Sequence, residues 1–378
     1  MHYYTATQIL TPDRGLQQGF LAVENGRVSG ILPEAPANVS IKNLGEGILA
    51  PGFFDVHIHG YGDCGVMDLK KESLRGLCQK LPDAGVTSFF ATPLTASPDT
   101  LEQACRLLRE VIAEHPQGAK IRGIFLEGPF FNPTHRGAQN PTYMEKPSLS
   151  MLERWQNAAG GWIRKIAIAP ELPGSLAFIR GARQMGIHVA LGHTAATYEE
   201  CRAAVEAGAS TFAHCYNAMS PLHHRKPGTV GAALDMPETY AECICDGIHV
   251  HPAAVRLLFR AKGAAHVALI TDGMRAGGMP DGWYNLGEFP VSVKNGAARL
   301  ADGSLAGSVL QMKQAVQNVV DWGAATLEEA LYSATAVPAA SAGLAGEVGA
   351  LCSGMPADFV HWKNGTVVGV WIDGKKVR

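Results

Sequence analysis

Eight short apolar runs, each closing on a polar residue, constrain the fold of this chain most. They span Phe53–His59, Val86–Thr92, Ile121–Glu127, Ile166–Glu171, Ile187–His193, Ser210–His214, Glu242–Asp246 and His266–Asp272. Each has the length and apolar character of a buried strand. Helix-like stretches such as Thr100–Ala113 and Tyr198–Ala207 fall between most of them. Eight strand–helix alternations predict an α/β fold, a (β/α)8 TIM-like barrel, with a doubly wound parallel sheet as the alternative.

The flanks read differently. Near the start, Phe20–Val23 and Val28–Leu32 bracket the turn residues Asn25-Gly26. Near the end, Ala357–Trp362 and Thr366–Ile372 bracket Asn364-Gly365. Asn-Gly between apolar runs is a hairpin signal. Residues 1–50 and 350–378 are therefore expected to form one small β-sandwich domain that the chain leaves and re-enters, with the barrel over 51–349. The length of 378 residues accommodates both.

Composition narrows the function. Lys plus Arg is 32 against 34 for Asp plus Glu, a net charge of -2. That balance offers no strongly basic surface for a nucleic-acid backbone. No apolar run approaches the roughly 18 residues of a membrane span, and the first fifteen residues lack the pattern of a secretion signal. Eight cysteines without such a signal point to reduced thiols and a cytoplasmic location. Cys243-x-Cys245 reads as two small core residues rather than as a metal motif. No Walker-type loop or dinucleotide fingerprint appears, which argues against a nucleotide cofactor.

The strand ends carry the chemistry. In a barrel they converge on one face, where active sites lie. His57 and His59 are two apart on a strand, so both imidazoles point to the same side and make a metal half-site. Glu127, His193 and His214 close the third, fifth and sixth runs. Together they make a three-ligand set that leaves a position for water. Asp272 closes the last run, placed to take a proton from that water and pass it to a leaving group. Mixed imidazole and carboxylate ligands suit zinc, iron, manganese or cobalt, and one or two ions per subunit fit the donors. The loop Tyr216–Gly228 packs His223, His224, Arg225 and Lys226 together. It reads either as a subsite for an anionic group or as an ordinary solvated loop.

The ordered set Pro51–Gly60, Leu126–Phe130, Gly192–Thr194, His214–Met219, Asp246–His249 and Thr271–Gly273 resembles the amidohydrolase superfamily. Within it, Glu127-Gly-Pro129, Asn217–Gly228 and Leu305–Ser308 resemble the amino-sugar-phosphate deacetylases, and the likeness runs almost end to end. Many amidohydrolases bridge two metals with a lysine on the fourth strand. Here Lys165 stands at the start of that run, and Glu127 looks like the metal-binding carboxylate.

The resemblance implies metal-dependent hydrolysis of the acetamide of N-acetylglucosamine 6-phosphate, in amino-sugar catabolism. The galactosamine epimer, another amide, and a metal-free binding role are the alternatives. It implies that Glu127, His193 and His214 hold the main metal, that Asp272 is the acid/base, and that His57 and His59 match members holding a second ion. It assigns sugar-phosphate contacts to Asn217, Ala218, Arg225 and His249. Further substrate contacts fall on Ala138, Gln139, Asp246, Gly247, Ile248, Leu305, Ala306 and Gly307. Gln139 stands where some members have histidine. A homodimer is also implied.

Overall fold

The computed structural model describes all 378 residues. Its centre is an eight-stranded parallel sheet. The strands are β1 (Phe53–Ile58), β2 (Val86–Ala91), β3 (Lys120–Leu126), β4 (Ile163–Ile168), β5 (His188–Leu191), β6 (Thr211–Phe212), β7 (Tyr240–Ile244) and β8 (Val267–Ile270). They pair in sequence order. The ring closes from β8 back to β1: Asp272 N–H donates to the His57 carbonyl at 2.9 Å, and His59 N–H to the Gly273 carbonyl at 2.8 Å. The fold is thus a TIM-like barrel, and not a doubly wound sheet.

Barrel strands are covered on both faces, which is why their sequences are apolar throughout rather than alternating. All six residues of β1 are buried, Asp55 and His57 included. Outside the ring lie α1 (Lys71–Lys80), α2 (Pro98–Ala113), α3 (Leu149–Ala158), α4 (Ser175–Gln184), α5 (Tyr198–Glu206), α6 (Gly228–Asp235), α7 (Pro252–Lys262) and α8 (Met312–Asp321). Helix α2 shows how such a helix is specified. Ser97 caps it by accepting from Thr100 N–H at 3.2 Å, and Pro98 opens it. Leu101, Ala104, Cys105, Leu108, Val111 and Ile112 then recur at three- and four-residue steps and are all buried. Each such leucine contributes about 1.5–3 kcal/mol. The barrel and its helices share one core of 85 buried residues, against 10 for the largest satellite, so the barrel dominates the packing. Cys243 and Cys245 belong to that core, with their sulfurs 3.5 Å apart.

Both ends of the chain join outside the barrel in a β-sandwich. A six-stranded sheet orders Lys375–Lys376, Thr366–Ile372, Phe359–Lys363, Ile48–Pro51, Gln8–Thr11 and Gly15–Gln17. A four-stranded sheet orders Arg27–Leu32, Phe20–Glu24, His2–Thr5 and Ile41–Asn43. Tyr4, Leu21, Val23, Leu49, Phe359 and Trp371 form the core between them. Phe359 and Trp371 stack with ring centres 4.8 Å apart. Trp362 meets Phe53 of β1 edge-on at 6.3 Å and so ties the sandwich to the barrel. No helix is long and apolar enough to cross a membrane.

Two details depart from the sequence reading. Strand β4 begins at Ile163, so Lys165 lies within it rather than at its start. Between β8 and α8 the chain also inserts a three-stranded antiparallel sheet, Gly282–Leu286, Phe289–Lys294 and Ala297–Arg299. Leu286, Val291, Val293 and Ala298 pack beneath it against Met274 and Leu94, a small core of its own at the barrel mouth. The sequence does signal its second hairpin: Phe289–Lys294 alternates apolar and polar residues, and Asn295-Gly296 turns the chain at φ 53° and 76° into Ala297–Arg299.

Candidate metal centre

Four histidines and two carboxylates meet at the C-terminal end of the barrel. Glu127 follows β3 where Gly128 turns the chain at φ 104°. A Cβ there would lie 2.1 Å from Thr95 Oγ1, so glycine is required. His193, His214 and Asp272 follow β5, β6 and β8, and all three hold positive φ, 48°, 29° and 48°. Such backbone costs about 1–3 kcal/mol per residue and collects at functional sites. Hydrogen bonds hold it in place: Asn132 N–H donates to the His193 carbonyl and Asn217 N–H to the His214 carbonyl, each at 3.0 Å.

Glu127 is the hub. Its Oε1 lies 3.0 Å from His214 Nε2, 3.3 Å from His193 Nε2 and 3.3 Å from His57 Nε2. Its Oε2 lies 3.4 Å from His59 Nε2 and accepts from Gln139 Nε2 at 2.6 Å. Gln139 is itself held, accepting from Thr95 N–H at 2.8 Å. Asp272 Oδ1 is 2.9 Å from His59 Nε2 and 3.7 Å from His57 Nε2.

The ring orientations define which nitrogens face the centre. His59 Nδ1 donates to the Thr92 carbonyl and His193 Nδ1 to the His135 carbonyl, both at 2.9 Å. His57 Nδ1 donates to Glu242 Oε2 at 2.9 Å. These bonds leave the Nε2 lone pairs pointing inward. His57 Nε2 is fully buried without a hydrogen-bond partner, and the Nε2 atoms of His193 and His214 stand 3.1 Å apart. His193 Nε2 thus offers a lone pair at the point that His214 Nε2 also reaches, a convergence that suits a cation. Two overlapping donor groups fit a divalent cation: His57, His59 and Glu127, and Glu127, His193 and His214.

Electrostatics follow from this crowding. Burial pushes the Glu127 carboxyl up, but the facing His57, His193 and His214 outweigh it and hold it well below the usual range. Asp272 behaves alike: burial raises it, while the bond from His59 and the charge of His57 bring it below its ordinary value. It is therefore ionised at neutral pH. Burial lowers His57, but Glu127 and Glu242 carry it well above the ordinary histidine value. Asp55, below the site, is pushed up to about 7 by burial despite hydrogen bonds from Thr271 and His57.

A cavity of about 340 Å³ opens over this floor. Among the residues singled out in the sequence, His59, Glu127, Ala138, Gln139, His193, His214, Asn217, Ala218, His249, Asp272, Leu305 and Gly307 line it. His57 lies beneath it. Asp246 stands behind the wall and holds His249: its Oδ2 accepts from Nδ1 at 2.6 Å and its Oδ1 from the backbone N–H at 2.7 Å. Gly247 and Ile248 form the turn between them. Ala306 packs under the inserted sheet instead. Arg225 is exposed and off the wall, its guanidinium donating to His224 Nε2 at 2.9 Å. The segment Leu305–Ser308 returns beside β8, Ser308 N–H donating to the Asp272 carbonyl at 2.8 Å. Gly307 lies there at φ 60°, where a Cβ would meet that carbonyl at 3.0 Å.

Sequence reasoning missed several participants. Leu94, Thr134, His135, Gly137, Leu286 and Ser304 also line the cavity. Glu242 was passed over as an ordinary member of its run, although a charged side chain in a buried strand requires a partner. Its partners are Lys165 Nζ and His57. Burial alone would raise its carboxyl; the Lys165 ammonium and His57 outweigh that and bring it to about 2.

A parallel barrel whose strand ends gather imidazoles around one carboxylate defines a class of metal-dependent hydrolase. Residues 48–377 match the amidohydrolase family model, and the chain belongs to that family. The N-acetylglucosamine-6-phosphate deacetylase of Vibrio furnissii is 38% identical over 100% of this chain and 95% of its own. The N-acetylgalactosamine-6-phosphate deacetylase of Escherichia coli O157:H7 is 36% identical over 99% and 98%. A solved structure of N-acetyl-D-glucosamine-6-phosphate deacetylase from Mycobacterium smegmatis, a mutant in complex with N-acetyl-D-glucosamine-6-phosphate, superposes with a TM-score of 0.93 at 33% identity. The match covers 100% of this chain and 99% of that one.

Proposed function

We propose that this chain hydrolyses the acetamide of N-acetylglucosamine 6-phosphate to glucosamine 6-phosphate and acetate, in amino-sugar catabolism. The observation that carries the reading is the position of Asp272, ionised and 2.9 Å from His59 at the floor of the cavity, beside the Glu127–His193–His214 cluster. The full-length relatives supply the substrate class.

Glu127, His193 and His214 would hold the main divalent ion, and His57 and His59 with Glu127 a second. When bound, such an ion polarises the acetamide carbonyl and acidifies water. The remaining work belongs to side chains. Asp272 takes the proton of the attacking water at Oδ1 and returns it to the departing amine. One water is consumed, the C–N bond breaks, and acetate and a free amine leave. Gln139 has no titratable group and takes no part in that proton transfer. Asn217, Ala218, His249 and Gly307 orient the sugar, and the phosphate extends toward Arg225 at the mouth. Zinc, iron, manganese and cobalt all suit these ligands. Eight free cysteines, seven of them buried, support a reducing cytoplasmic setting. We place the mouth loop, with its exposed Leu222 beside Arg225, at a homodimer contact.

The second reading is the galactosamine epimer, favoured by the 36% identity to the Escherichia coli relative. Acetate release from both 6-phosphorylated epimers and from unphosphorylated N-acetylglucosamine, on metal-loaded protein, separates them. Fast release from the glucosamine epimer alone is the expected result. Preference for the other epimer changes the substrate and keeps the chemistry. No release from any of the three defeats the reading.

A further inference from the structure

Below the histidines, a lysine and a glutamate are sealed inside the barrel. Lys165 on β4 and Glu242 on β7 are both wholly buried. Lys165 Nζ bonds Glu242 Oε1, and the Phe125 ring covers the ammonium at 4.7 Å. The other oxygen of Glu242 accepts from His57 Nδ1 at 2.9 Å and faces the His214 backbone N–H at 3.4 Å. We propose that Lys165 and Glu242 form an interior relay that fixes the ring of His57 and presents its Nε2 to the metal. The inference rests on the metal reading above.

The argument is one of donors and acceptors. A neutral imidazole has one N–H and one lone pair. A carboxylate accepts only, so Nδ1 keeps a proton in either charge state, and the proton that a bound cation would displace is the one at Nε2. That nitrogen is the one buried without a hydrogen-bond partner. His59 and His193 are oriented by neutral backbone carbonyls, and His214 Nδ1 has no partner at all. His57 alone takes its Nδ1 partner from a side chain, so its orientation depends on how that side chain is held. Lys165 in turn holds Glu242 in place. Its ammonium is thereby committed to the relay and is not a bridging ligand, although it sits on the strand where related enzymes carry one.

Removing one charge would strand the other, so the test changes both. Lys165→Met with Glu242→Gln removes both charges and keeps an acceptor for His57. Lys165→Met with Glu242→Leu removes the acceptor too. Metal affinity is measured by titrating Co²⁺ into stripped protein, with circular dichroism as the folding control and His57→Ala as the reference for losing that ligand. The expected result is a roughly 10–100-fold loss in the Leu pair, matching His57→Ala, with the Gln pair within about threefold of the parent. Parent-like affinity in the folded Leu pair, while His57→Ala loses it, overturns the relay and leaves the metal site standing. Equal loss in both pairs overturns the orienting role of the acceptor. An unaffected His57→Ala, or a parent that binds no Co²⁺, removes the metal reading at His57 and the relay with it.

Discussion

At the C-terminal end of the barrel, four histidines face the carboxylates of Glu127 and Asp272. At the opposite end, His188 opens β5 in the field of Arg183, Lys165 and Arg164. The outcome is opposite. The carboxylates raise His57 and His214, whereas burial and the three cations press His188 down to about 4. One side-chain type is therefore drawn toward its charged form at one end and held neutral at the other. Burial does not separate the two cases, since it lowers the imidazole at both ends. The sign of the neighbouring charge does. The backbone differs as well: His193, His214 and Asp272 hold strained positive φ at the first end, while His188 lies in regular strand.

The largest expected effect is at the hub. Glu127→Ala removes the carboxylate shared by both donor groups. Metal affinity, read by titrating Co²⁺ into stripped protein, should fall more than ~100-fold, beyond the loss typical of an outer partner, and turnover with it. Asp272→Asn should separate metal from chemistry: the bound metal stays while kcat drops about 10²–10⁴-fold. Near-normal kcat in that variant would return proton transfer to some other group. Arg225→Ala tests whether the mouth reads phosphate. Losing one charge-assisted contact of about 1.5–3 kcal/mol should lower kcat/KM ~10–100-fold for the phosphorylated sugar and leave the unphosphorylated one unchanged; an equal loss on both would take phosphate away from Arg225.

The smallest effect lies at the other end. His188 has a folded value near 4 against 6.5 for the free side chain. As pH falls the unfolded chain binds the proton first. The stability His188 contributes is thus complete above pH 6.5 and is lost progressively down to about 4. His188→Gln should flatten that part of the pH dependence relative to the parent, read as urea midpoints between pH 4 and 7, with turnover at pH 7 unchanged. A loss of turnover there would blur the division between the two ends.

Much of this site is legible because its cues are local. His57 and His59 share a face through the two-residue period of a strand. Glu127, His193, His214 and Asp272 announce themselves by standing where apolar runs stop, and Gly128 shows that the chain turns there. The inserted sheet carries its own local cues, the alternation of Phe289–Lys294 and the turn at Asn295-Gly296, but its packing against Met274 and Leu94 was not legible. Nor was the distance of Arg225 from the cavity wall, which depends on how the fifteen residues between β6 and α6 are draped over the mouth.

What the residues determine alone is the alternation that makes a barrel and the chemistry stationed at its strand ends, because hydrophobic period and chain breaks act over a few residues. The tertiary structure decides which of those groups meet. Lys165 and Glu242 are 77 residues apart, and nothing in either strand names the other. Only closing the ring brings them together under His57, where the cost of burying one charge is offset by the presence of the other.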